Sequence, residues 1–187
     1  MRLIAALVVS LLPFAALAAS DGGGSSGGSS GGSSGAPEQT KTTKQCSNGQ
    51  VWDFNSKTCK DATSGSLDDD TRYQAVREFA YYGQPEAALK VLAAMHEGET
   101  DRVMTYMGFA NRKAGHLEEG LAWYDKAITR NPDNILARSY YGQALVEMNE
   151  MQLASAQLDE IRARGGTGTW AELSLATAIK TGETYSY

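Results

Sequence analysis

The chain has 187 residues and a formal net charge of −5. From residue 62 onward it carries 12 Lys/Arg against 18 Asp/Glu. That balance excludes the continuous basic surface that nucleic-acid phosphates demand and disfavours adsorption to anionic lipid. Beyond the N-terminal apolar run, no stretch is long and apolar enough to span a bilayer, so no membrane span is expected once that run is removed.

In chain order, MRLIAALVVSLLPFAALAAS opens with Arg2, continues as an apolar run from Leu3 and closes on the small residues Ala16, Ala18 and Ala19. This is the pattern of a secretory signal peptide, here 1–18, with cleavage after Ala18 or alternatively after Ala19 or Ser20. The expected destination is the periplasm or cell envelope of a bacterium, or secretion. Residues 19–45 read as a disordered linker, because GGGSSGGSSGGSSG at 22–35 has nothing to bury. Cys46 and Cys59 are the two cysteines of the chain. In an exported protein such a pair reads as a disulfide closing a stapled loop over 46–59. A zinc site would need more ligands than these thiols and two distant histidines offer. Residues 60–67 read as a second linker.

From 68 to 182 the pattern is helical. The acidic residues of LDDD at 67–70 suit a helix N-terminus. Val103, Met104, Met107 and Ala110 recur at helical intervals, Gly115 interrupts them, and Leu117, Leu121, Tyr124 and Ile128 form a second stripe. Aligned on itself at an offset of 34, the chain pairs Gly108 with Gly142, Gly120 with Ala154 and Tyr124 with Leu158. At 32 backwards, Gly115 pairs with Gly83 and Gly120 with Ala88. A period of this length marks stacked supersecondary units. Gly108 and Gly120 fall where two helices cross, so close backbone approach is expected there. After Gly168, TWAELSLATAIKTG reads as one more helix closing the stack, with a frayed tail at 183–187.

On Gly108, Gly120, Tyr124, Ala127 and Pro132, the unit 101–134 resembles a tetratricopeptide repeat. The units 69–100 and 135–166 are similar but more degenerate. The resemblance implies an all-α, right-handed solenoid of about three helical hairpins plus the C-terminal capping helix. It also implies that the first helix of each hairpin lines a concave groove for a protein or peptide. At 100° per residue, Arg102, Phe109 and Lys113 share one face, flanked by Thr105 and Arg112. The matching residues are Tyr73, Arg77 and Tyr81 in the first unit and Leu136, Ser139, Gln143 and Glu147 in the third, so the groove would set Arg77, Arg102, Arg112 and Lys113 against Asp70 and Glu147. Family members that clamp a C-terminal carboxylate carry basic residues where Tyr73, Thr105 and Ser139 stand here, so a clamp is not expected.

These residues form a basic and aromatic face in an acidic domain. The expected function is therefore that of an adaptor holding an acidic or aromatic segment of a partner, with Phe109 as the anchor. No set of nucleophile, acid and base suggests an enzyme, and no cofactor or metal is expected: His96 and His116 sit apart near helix ends, and GGTGTW reads as a turn. The alternative is a cell-wall or carbohydrate binder in which Trp52 and Phe54 of the stapled loop stack on sugars while the repeats act as a spacer.

Overall fold

The computed structural model describes residues 38–184. The expected signal peptide, the Gly/Ser run and the last three residues of the tail lie outside them. Among the described residues there are eight helices and one two-stranded antiparallel sheet. In order they are α1 (Lys41–Gln45), β1 (Val51–Asp53), β2 (Thr58–Lys60), α2 (Asp69–Tyr81), α3 (Pro85–Leu92), α4 (Asp101–Lys113), α5 (Leu117–Arg130), α6 (Ile135–Glu147), α7 (Met151–Ala163) and α8 (Trp170–Thr181). None of the helices is long and apolar enough to cross a membrane.

Local chemistry sets the helix boundaries. Asp68 accepts the Thr71 amide and caps α2, with Asp69 and Asp70 in the first turn, where the helix dipole favours them. Pro85 stands in the first turn of α3, where its missing N–H costs no helical bond. Asn134 caps α6 and Thr169 caps α8. Gly115, at φ +88°, turns the chain between α4 and α5 through a region that side chains disfavour.

Consecutive helices pack as pairs, α2 on α3, α4 on α5 and α6 on α7. The even-numbered helices also touch in succession, α2 to α4, α4 to α6 and α6 to α8, whereas α3, α5 and α7 pack against the helices before and after them. At the crossing of α4 and α5 the glycines are needed for space. A Cβ on Gly108 would lie 2.4 Å from the buried Tyr124 ring, and one on Gly120 would lie 3.0 Å from the Gly108 carbonyl oxygen. Gly142, which matches Gly108 in sequence, makes a different contact: its Cβ would meet Leu175 of α8 at 2.5 Å rather than a residue of α7.

Cys46 and Cys59 are joined, with Cα atoms 5.5 Å apart. In the chain-entropy model a loop of this length contributes about 3 kcal/mol. Cys59 lies in β2, which pairs with β1 in the register Val51–Lys60, Trp52–Cys59 and Asp53–Thr58.

Two expected linkers are instead ordered. Residues 41–45 form α1, capped by the Thr40 hydroxyl. The segment is pinned to α2 because the Glu78 carboxylate accepts hydrogen bonds from the Thr40 amide and hydroxyl, at 2.7 Å each, and from the amide and hydroxyl of Thr43. Residues 60–67 are held by the buried Arg72, whose Nε donates to the Ala62 carbonyl at 2.8 Å and whose Nη2 donates to that of Ser64 at 2.9 Å. Val51, Ala62 and Leu67 join Ala75, Val76 and Phe79 in one apolar cluster. The stapled loop is therefore continuous with the helical core, not a separate body.

Candidate functional site

The face expected to line a groove is mostly filled by its own side chains. Phe109 is 1% exposed, with its ring centroid 4.7 Å from that of Tyr140 and 6.1 Å from that of Tyr81. Tyr106 packs edge-on to Tyr73 and Tyr140, and Tyr140 packs edge-on to Trp170. The hydroxyls of Tyr81 and Tyr140 are hydrogen-bonded at 3.0 Å. Phe109 therefore cannot serve as the expected surface anchor, because α2 and α6 each bring an aromatic ring onto it.

The polar members of the expected face are closed off as well. The Thr105 hydroxyl donates to the Asp101 carbonyl at 2.6 Å and accepts from Asn134 Nδ2 at 3.0 Å. Ser139 and Gln143 are covered by α8, with the Ser139 and Ser174 hydroxyls 3.0 Å apart and Gln143 Nε2 donating to both at 3.4 Å. The Arg112 side chain is 1% exposed and donates from Nη1 to Glu147 at 3.0 Å. Its Nε and Nη2 meet no hydrogen-bond partner of good geometry. Burial pushes the neighbouring Tyr124 phenol up, and the Arg112 charge opposes that shift.

Tyr73, Arg77, Arg102 and Lys113 keep partial exposure. Arg102 grips Glu97 with Nε and Nη2, both at 2.7 Å, reaches Asp70 with Nη1 at 2.7 Å, and lies over the Tyr73 ring at 4.7 Å. Hydrogen bonds that it donates to these carboxylates hold its charge more firmly than usual against the cost of burial. Lys113 lies 3.8 Å from Glu147, and burial together with Arg112 depresses its pKa. Arg77 is hydrogen-bonded to the Tyr106 hydroxyl. The basic residues of the expected groove thus have partners within the fold, and the net positive face inferred from the sequence is not what the structure presents.

A different concavity is open. A cleft of about 570 Å³ lies where the disulfide-linked hairpin and the segment before α1 meet α2. Val51, Trp52 and Ala75 supply its apolar lining, Gln74 and Arg77 come from α2, and Glu38, Asp68 and Asp70 add carboxylates. Phe54 also lines it and is the most exposed large apolar residue described, at 63%. Trp52, expected as a stacking aromatic, is only 8% exposed, with Lys41 Nζ 4.5 Å above its ring. Phe54 is the ring of the stapled hairpin that a ligand can reach.

Of the residues expected to line the groove, Arg77 alone lines this cleft, together with Trp52 and Phe54 of the alternative reading; Tyr73 shares its helix and Arg102 reaches its Asp70. Sequence reasoning missed Glu78 and Arg72, which bring the cleft walls together. Their signal was a charge on the apolar stripe: Arg72, Ala75 and Phe79 lie on one face of α2, and Glu78 adjoins Phe79. Among the described residues, no group of three or more His, Cys, Asp or Glu is arranged to hold a metal ion.

No family model matches this chain. No characterised protein and no solved structure shows significant similarity to it either.

Proposed function

We propose that the protein is an exported adaptor of tetratricopeptide-like helical hairpins that holds a protein or peptide partner. The observation that carries this reading is the open cleft between the stapled hairpin and α2, with Phe54 at 63% exposure beside it. Exposed aromatics bordered by polar groups are the common anchors of protein interfaces. The repeat reading draws support from the successive contacts of α2, α4, α6 and α8 and from the Gly108–Tyr124 crossing. Export draws support from the Cys46–Cys59 bond, since structural disulfides persist in oxidising compartments.

The test is site-specific photocrosslinking in the native compartment. A photoreactive residue at Phe54 or Gln74 should capture the same polypeptide, and one at the exposed Leu153 of α7 should not. Equal capture from all three positions would refute the cleft as the contact surface. A second reading rests on the same exposed ring: Phe54 on a rigid stapled hairpin is placed as a sugar-stacking platform would be. Crosslinks from Phe54 to glycan but not to polypeptide would establish that reading instead.

A further inference from the structure

We propose that the cleft between the stapled hairpin and α2 takes a cationic segment of a partner polypeptide, presenting Lys or Arg together with an apolar side chain. This rests on the adaptor reading and sets the sign of its partner. The sign is opposite to the one the sequence suggests, because the basic residues of α4 are occupied inside the fold: Arg102 by Glu97 and Asp70, Arg112 and Lys113 by Glu147.

The cleft has the complementary chemistry. The exposed Phe54 ring, set beside the buried Val51, Trp52 and Ala75, suits the methylene stem of a long basic side chain, which buries its stem and leaves its charge at the edge. Phe54 offers a ring face to an apolar side chain or to a cation. At that edge Glu38 is exposed, and Asp70, with its side chain 82% exposed, gives only one oxygen to Arg102. Glu78, although it lines the cleft, has its carboxylate engaged by Thr40 and Thr43. Arg77, bonded to Tyr106, Lys41 over the Trp52 ring and Arg102, shared between Asp70 and Glu97, balance only part of the negative charge of Glu38, Asp68, Asp70 and Glu78. An acidic segment would meet repulsion at this edge; a basic one is drawn in, and the negative charge of the whole domain adds to the steering.

The experiment uses the mature, disulfide-bonded protein and three fluorescent probes: a short extended peptide alternating Lys with Leu, the same peptide with Glu for Lys, and a chitin-type oligosaccharide. The Lys peptide should bind, more weakly as ionic strength rises, and the Glu peptide should not. Phe54→Ala should weaken binding roughly 30-fold, the loss expected of a hot-spot aromatic. The double variant Glu38→Gln/Asp70→Asn should reduce both affinity and its salt dependence. Helical circular dichroism should be retained, because all three side chains are on the surface. Preference for the Glu peptide, with loss in Phe54→Ala, would overturn the cationic assignment and leave the adaptor reading standing. Binding of the oligosaccharide alone would overturn both. Lys-peptide binding indifferent to all three substitutions, or binding of no probe, would overturn the cleft as a cationic-segment site.

Discussion

Two regions on the even-numbered helices use aromatic side chains in opposite ways. Along α4 and α6, Tyr106, Phe109 and Tyr140 turn toward one another and toward Tyr81 and Trp170, so the surface where a ligand would lie is occupied by the protein's own rings. At the start of the stack a disulfide-linked hairpin is set against α2, and the gap between them stays open with Phe54 exposed beside it. The first region spends its aromatic area on cohesion. In the second, the Glu78 carboxylate and the Arg72 guanidinium tie the flanking segments to α2, and the cleft beside Phe54 leaves room for another molecule. The same residue type reads as anchor or as core only once its neighbours are known.

The sharpest way to break this contrast is Phe109→Ala. A buried phenylalanine truncated to alanine costs about 3–5 kcal/mol, so the variant should unfold at markedly lower urea concentration than the parent. A parental denaturation midpoint would mean that the ring is not core and would reinstate it as a surface anchor.

A smaller effect is expected at the polar pin. Glu78→Gln keeps the shape but loses the charge that four donors from Thr40 and Thr43 share. The loss should be about 2 kcal/mol. It should be local as well: hydrogen exchange at residues 40–43 should accelerate while the amides of α4 to α8 stay protected. Uniform loss of protection would show that hairpin and helices unfold as one unit, and no change would show that the segment is not pinned.

The smallest effect concerns acid. Burial works to raise the pKa of Asp69, but hydrogen bonds from the amides of His96 and Glu97 and from Arg72 outweigh it and hold the carboxyl below its usual value. A carboxyl depressed in the folded state stabilises fully above its unfolded pKa of about 3.9 and loses that contribution as pH falls through the lower folded value. Thermal stability should therefore be level above pH of about 5 and fall below it. Asp69→Asn should flatten part of that fall. An identical pH profile for the variant would remove Asp69 from the account.

The helices were legible because their signals are local. Asp68 as a cap, Pro85 in a first turn, Gly115 at a stop and the stripe of Met104, Met107 and Ala110 need no knowledge of the rest of the chain. The close approach of Gly108 and Gly120 was legible for the same reason. The groove was not, because a helical wheel assigns directions to side chains without saying what stands opposite. Phe109 lies on the face shared with Arg102 and Lys113, and only the arrival of Tyr81 and Tyr140 turns that face into core. Residues 41–45 were read as linker for a related reason. A five-residue helix has almost no stability of its own, and its support comes from Glu78, 35 positions beyond Thr43.

The placement of the tryptophans gives each district of the fold its own optical reporter. Trp52 lies under Lys41 in the stapled hairpin, Trp123 rests beside Lys126 on α5, and Trp170 abuts Tyr140 at the head of α8. Replacing any two of them by phenylalanine leaves a single emitter whose wavelength follows the wetting of its own surroundings. Hairpin release, loosening of α5 and detachment of α8 can thus be timed separately in one molecule without an added label.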